Sequence, residues 1–150
     1  MSDPISRARV LVAAAVVERD GAFLLTRRLD GTHLAGHWEF PGGKCHPGEA
    51  LQDCLVREIR EELDAEVGVG IEILATVHEY PERTIELRFF RCEFRTEPRP
   101  TMGQEMRWVP LAELASVQLP PADDELVRQL GSGPKRSLLQ VNGDKAAFWT

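Results

Sequence analysis

The order of elements along the chain predicts an α/β protein with a mixed β-sheet held between helices. Three observations carry this expectation. Residues 10–17 form a short run rich in Val and Ala, as a buried strand does. Leu51, Leu55, Ile59 and Leu63 recur every fourth residue, as on a helix that packs one face on a sheet. Residues 69–79 and 84–94 read as two further strands around Tyr80-Pro81. At 150 residues the chain favours one domain with a proper core.

Taken in order, the strand at 10–17 is followed by Asp20-Gly21, a hairpin-turn signal, and a returning strand at 22–26. Residues 27–36 are polar with two glycines and read as a loop. Trp38 to Phe40 is a short strand before the turn Pro41-Gly42-Gly43. The main helix is expected from about 49 to 63. After the hairpin at 69–94 come a strand at 106–109 and, behind Pro110, a helical turn at 111–114. Pro120-Pro121 introduces a last helix over 122–130. The domain is placed in residues 1–131. Residues 132–150 are turn-rich with weak periodicity, and form either a mobile tail or a segment docked through Phe148 and Trp149.

The bulk numbers exclude several function classes. A net charge of −6 disfavours a protein that grips a nucleic-acid polymer, which needs a basic footprint. A small nucleotide held through a metal remains compatible. The apolar run at 10–17 is too short to span a membrane, and the N-terminus has no signal-peptide pattern. Cys45, Cys54 and Cys92 are odd in number with no CxxC pair, which argues against a disulfide framework or a zinc site and fits a reducing cytoplasm. No sustained exposed apolar face decides between monomer and oligomer.

The chemistry concentrates in residues 42–65, GGKCHPGEALQDCLVREIREELDA. Glu58, Glu61 and Glu62 stand at i, i+3 and i+4, on one helix face. Like charges that close repel one another. The arrangement becomes favourable around a hard divalent cation, Mg²⁺ or Mn²⁺, which prefers carboxylate oxygen. Taken alone, REIREEL would be an ordinary solvated helix with i, i+4 ion pairs. The preceding GGK turn and Glu49 at fixed spacing point instead to a metal site for a phosphate-bearing substrate.

These residues closely resemble the Nudix box. Gly43 opens it, Glu49 follows after five residues, and after seven more come Arg57-Glu58-Ile59, then Glu61-Glu62. Asp64 stands where the family usually has the glycine that ends the helix. Aspartate tolerates left-handed backbone angles better than most residues, so a helix stop is still expected there. The resemblance implies an α/β/α sandwich with a central mixed sheet. It further implies that Glu58, Glu61, Glu62 and the Gly43 carbonyl hold divalent ions, Mg²⁺ or Mn²⁺, with Glu105 as an outlying ligand. Glu58 is the favoured general base and Glu62 the second choice. Arg57 orients a carboxylate, Glu49 is its structural partner, and Lys44 reaches phosphate oxygens.

The segment TRRLDGTHLAGHWEFPGGK further resembles the MutT branch, which cleaves nucleoside triphosphates to monophosphate and pyrophosphate. That resemblance implies nucleotide contacts for Arg28 and His33, with Glu39 as another acid near the site. A surface-loop histidine is the plainer alternative for His33. In LPPADDELV the residue after PPA reads the base edge in that branch. It is asparagine in the enzyme that clears 8-oxo-dGTP, and here it is Asp123. Ionised aspartate only accepts hydrogen bonds, whereas a protonated one also donates. Cytidine nucleotides and modified forms therefore become candidates beside 8-oxoguanine, and a helix cap is the alternative role for Asp123. Two rival functions stand beside the main one. One is hydrolysis of ADP-ribose or another nucleoside diphosphate derivative. The other is a non-catalytic domain that senses a nucleotide.

Overall fold

The computed structural model describes residues 8–32 and 34–132. The expectations for His33 and for the tail from 133 lie outside the described residues. Eight strands and two α-helices follow in order: β1 Ala8–Val16, β2 Glu18–Arg19, β3 Ala22–Arg27, β4 Trp38–Glu39, β5 Gly42–Lys44, α1 Leu51–Leu63, β6 Val67–Glu79, β7 Arg83–Phe94, β8 Met106–Pro110 and α2 Asp124–Ser132. Two 3₁₀ turns, Leu111–Ser116 and Pro121–Asp123, lie between β8 and α2.

The main sheet has the order β5-β1-β7-β6. It is mixed: β1 runs parallel to β7, and the β5–β1 and β6–β7 pairs are antiparallel. A second sheet sets β3 between β8 on one side and the short strands β2 and β4. Asp20 and Gly21 take positive φ values of 51° and 80°, the backbone that a tight hairpin between β2 and β3 requires.

β1 explains why the sheet is covered on both faces. Its side chains alternate, and both sets are apolar. Ala13 and Ala15 join Cys54, Leu55, Ile59 and Leu63 of α1 in one core. Ala14 and Val16 join Phe40, Phe89, Leu126 and Leu130 in the other, under α2. A sheet between two helical layers is the expected α/β/α sandwich. The small residues of β1 let backbone approach closely: a Cβ at Gly42 would overlap the backbone of Ala13 across the β5–β1 pair.

Three differences from the sequence reading stand out. Gly42–Lys44 is a strand, not only a turn, because its backbone completes the free edge of β1. α1 begins at Leu51, since Glu49 turns back to accept a hydrogen bond from the His46 backbone N–H at 2.9 Å. The cysteine count also misled: Cys45 and Cys54 form a disulfide, with Cα atoms 5.3 Å apart, while Cys92 is free and buried. Helical periodicity places Cys54 in the core but carries no information about the loop that delivers Cys45. Among the described residues no helix is long and apolar enough to cross a membrane.

The end of α1 is held with unusual completeness. Asp64 adopts the left-handed conformation expected of it, φ 50° and ψ 42°, and its carboxylate accepts from Arg99 at 2.6 Å. The last carbonyls of a helix have no partner within it. Here the segment 99–104 supplies them. Arg99 N–H donates to Leu63 O, Thr101 N–H and Gln104 Nε2 donate to Glu62 O, and Thr101 Oγ1 donates to Glu61 O at 2.8 Å. Thr101→Val removes the hydroxyl donor to Glu61 O and Glu62 O, and is expected to cost about 1 kcal/mol of stability. Chemical denaturation checks this, and an unchanged midpoint would remove the hydroxyl from the account.

Candidate active site

Two elements from opposite ends of the sequence motif meet here. β5 runs antiparallel to β1 and presents the bare backbone of Gly43 to α1. The Glu58 carboxylate lies directly against it, so a Cβ at position 43 would overlap that carboxylate. Glu58 is only 14% exposed at its side chain. One turn on, Glu62 is close enough to share a hydrogen bond with Glu58. Burial first, then the charge of Glu58 and of Glu39, raises the Glu62 carboxyl to about 8.

Arg57 organises the surroundings. Its Nε and Nη2 donate to the two Glu49 oxygens, each at 2.9 Å, in a forked pair. Nη1 donates to Glu58 at 3.0 Å and to Glu61 at 3.3 Å, and Nη2 also reaches the Lys44 carbonyl at 3.1 Å. The hydrogen bonds from Arg57 hold the Glu49 carboxyl down at about 2. One guanidinium thus ties the loop after β5 to the acidic face of α1.

The three box glutamates do not turn inward together. Glu58 and Glu62 converge, whereas Glu61 is 59% exposed and drawn to Arg57. Glu105 pairs with Arg27 at 2.7 Å. Among the described residues no three His, Cys, Asp or Glu side chains converge into a ready cation site. The donor chemistry nevertheless suits a divalent ion. A largely buried acid pair, in which burial and then mutual repulsion lift one member's pKa, beside a backbone carbonyl, is a set that a cation stabilises.

A pocket open to solvent adjoins this corner. Val12, Ala14, Phe40, Ile85 and Leu87 give it apolar walls, and Gly43 and Lys44 form one rim. Arg28 and Glu39 enter it as an ion pair at 2.9 Å. Burial raises the Glu39 carboxyl against the pull of Arg28. Asp123 also lines the pocket and is 4% exposed. Burial, with the charges of Glu39 and Asp124 adding to it, pushes its carboxyl up to about 8. Asp123 stands immediately before α2, so the cap position and the pocket position coincide.

The pocket also holds two residues that the sequence reading gave no site role. Tyr80 and Arg83 line it from the β6–β7 turn. The Tyr80 hydroxyl pKa is raised by burial and by the charge of Asp123. Tyr80-Pro81 lies about where other Nudix branches carry a substrate-selecting residue, but MutT-like sequences carry a similar dipeptide, so it does not discriminate; alternation along β7 gives no hint that Arg83, its first residue, faces a cavity. Gln104, next to Glu105, anchors the end of α1.

Comparison with known proteins follows this geometry. The NUDIX domain family model matches residues 12–129. The chain is 38% identical over 117 residues to a CTP pyrophosphohydrolase of Escherichia coli K12, covering 77% of this chain and 87% of that protein. It is 36% identical over 124 residues to an 8-oxo-dGTP diphosphatase of Haemophilus influenzae, covering 81% and 90%. The crystal structure of a MutT NUDIX hydrolase from Burkholderia pseudomallei superposes with a TM-score of 0.75 at 25% identity, covering 83% of this chain and 99% of the other.

Proposed function

This chain belongs to the NUDIX family, and from that premise we propose that it is a MutT-like hydrolase that converts nucleoside triphosphates to monophosphate and pyrophosphate in the presence of Mg²⁺ or Mn²⁺. The observation that carries the reading is a shared cavity. Gly43, against which Glu58 lies, lines the same pocket as Asp123. Phosphate chemistry at Gly43 and base recognition at Asp123 would therefore share one pocket.

Glu58, Glu62 and the Gly43 carbonyl are the inner candidates for holding the divalent ion, with Glu61 and Glu105 as outer ones. Such an ion supplies neutralisation of the polyphosphate's negative charge. Glu58 is our first candidate to take a proton from the attacking water and Glu62 the second. The high pKa of Glu62 leaves it protonated at neutral pH while no cation is bound, which ranks it second as a base. Arg57 keeps Glu58 in place through a charge-assisted bond. Lys44 and Arg28 meet phosphate oxygens, with Glu39 orienting Arg28. His33 is retained as a nucleotide contact on the sequence resemblance alone.

Asp123 reads the base edge. Held at about 8, its carboxyl is neutral at physiological pH and offers one O–H donor and one acceptor. That pair resembles an asparagine amide and suits a base with adjacent acceptor and donor atoms. Cytidine and oxidised guanine nucleotides both qualify, in keeping with the names of the two relatives. A cytoplasmic site of action fits substrates of this kind.

A turnover panel tests the reading: the common ribo- and deoxyribonucleoside triphosphates, 8-oxo-dGTP, 5-methyl-dCTP and ADP-ribose, each with Mg²⁺ or Mn²⁺ and with products identified. The expected result is pyrophosphate with a monophosphate, best for a cytidine or an oxidised guanine nucleotide. Turnover of ADP-ribose alone would move the protein to the diphosphate-derivative branch. Binding without turnover of any compound would make it a sensor.

A further inference from the structure

We propose that the Cys45–Cys54 disulfide is a redox-labile fastener that sets the cation affinity of the active site, opened by small dithiols or dithiol proteins. The inference rests on the cation role assigned to Gly43 and Glu58 above.

Four observations converge on it. Cys45 follows β5, two residues after Gly43, and Cys54 lies in the first turns of α1, one turn before Glu58. The bridge therefore joins the strand whose carbonyl is a ligand candidate to the helix whose carboxylates are the others. Second, the Cys54 sulfur lies 3.8 Å from the Gly43 carbonyl oxygen and 4.0 Å from Arg57 Nη2. It touches both the carbonyl and the guanidinium that clamps Glu49, Glu58 and Glu61. Third, the two residues differ in access: Cys54 is fully buried and Cys45 is partly exposed, so an incoming thiolate would approach the bridge from Cys45. Fourth, Cys92 is buried in the core among Phe90 and Val67, and its thiol is pushed up to about 12, chiefly by burial, so it is poorly suited to exchange.

The exchange balances as follows. A dithiol's thiolate attacks Cys45 Sγ, the S–S bond breaks, and the Cys54 sulfur leaves and takes up a proton. The dithiol's second thiolate then displaces Cys45, which is protonated in turn. The protein gains two electrons and two protons, and the dithiol becomes a disulfide. In a reducing compartment a bridge of this kind is a sensor rather than a permanent staple. Once it opens, β5 and α1 remain joined at this corner only through Arg57 and packing. The Gly43 carbonyl and Glu58 then lose their covalent registration. Residues that orient ligands in this way commonly change metal affinity by roughly 10–100-fold, and a loss of roughly 10-fold in Mn²⁺ affinity on opening is expected here.

The test uses the full chain in two states, air-oxidised and dithiothreitol-reduced, the latter freed of reductant under argon. Alkylation in denaturant with mass spectrometry counts free thiols, and electron paramagnetic resonance follows Mn²⁺ titration of the folded protein without any substrate. The expected result is one alkylated cysteine before reduction and three after it, with weaker Mn²⁺ binding in the reduced state. Cys92→Ser should keep the whole response. Cys45→Ser should bind Mn²⁺ like reduced wild type and ignore reductant. Three alkylated cysteines in the oxidised protein would overturn the proposal. So would Mn²⁺ affinities equal within about twofold once the bridge is fully open; the cation role itself would survive that result. No Mn²⁺ binding in either state would overturn both.

Discussion

Glu58→Gln is expected to lower kcat on the best nucleotide by roughly 10²–10⁴-fold, the span typical of a lost acid–base group. The substitution keeps the shape that lies against Gly43 and removes only the charge. The same change should stabilise the protein without cation. Burial and the Glu58 charge are the two leading reasons that the Glu62 carboxyl is lifted to about 8, and the substitution removes one of them. Repulsion held in an active site is a familiar exchange of stability for activity. Two measurements therefore read one residue: steady-state kinetics fall while the melting temperature in chelator rises. A kcat within about threefold of wild type would transfer the base role to Glu62.

Asp123→Asn is expected to produce the largest change in pH behaviour. The native carboxyl titrates near 8, against an ordinary value of 3.8. A folded pKa above the unfolded one means that the native state keeps a proton which the unfolded chain has released. Stability contributed by this group is therefore full below about 3.8 and is lost progressively as pH rises towards about 8. Asparagine has no such proton to lose. The mutant should match or exceed wild type by an amount that grows between pH 5 and 8, on the order of a few kcal/mol, and then levels off. Denaturation at pH 5, 7 and 9 checks this. Base selectivity should follow the same window. Wild type becomes acceptor-only as the pocket acid ionises, so its ratio of kcat/KM between two bases should drift by roughly tenfold, as one hydrogen-bond edge is worth about 1–3 kcal/mol. The mutant ratio should stay flat. Identical pH profiles for both proteins would leave Asp123 as a helix cap.

Much of the sandwich was legible because periodicity reports burial. The four-residue recurrence along α1 named the face that packs on β1, and the Asp20-Gly21 pair named its hairpin. Asp64 was legible as a helix stop, since its short polar side chain tolerates the left-handed backbone it adopts. Other features were not, because they depend on which segments meet. The pairing of β1 with β7 joins residues more than seventy positions apart, and nothing local encodes it. β5 looked like a turn because its glycines are there for close approach, not for bending. The spacing of Glu58, Glu61 and Glu62 implied one shared face. It did not reveal that Arg57 would draw Glu61 outward while Glu62 turned in. The cysteine pair failed for the same reason as β7: a loop and a helix come together only in three dimensions.

The alternation of β1 has an evolutionary reading. Odd-numbered positions such as Ala13 and Ala15 abut the layer that carries the acidic helix. Even-numbered ones such as Val12 and Ala14 form the floor of the nucleotide pocket. One strand thus offers two nearly independent dials, separated by parity. Drift at even positions reshapes which base fits while leaving the phosphate machinery where it was, and drift at odd positions does the reverse. A lineage built on this strand can diversify its substrates one residue at a time without dismantling its chemistry.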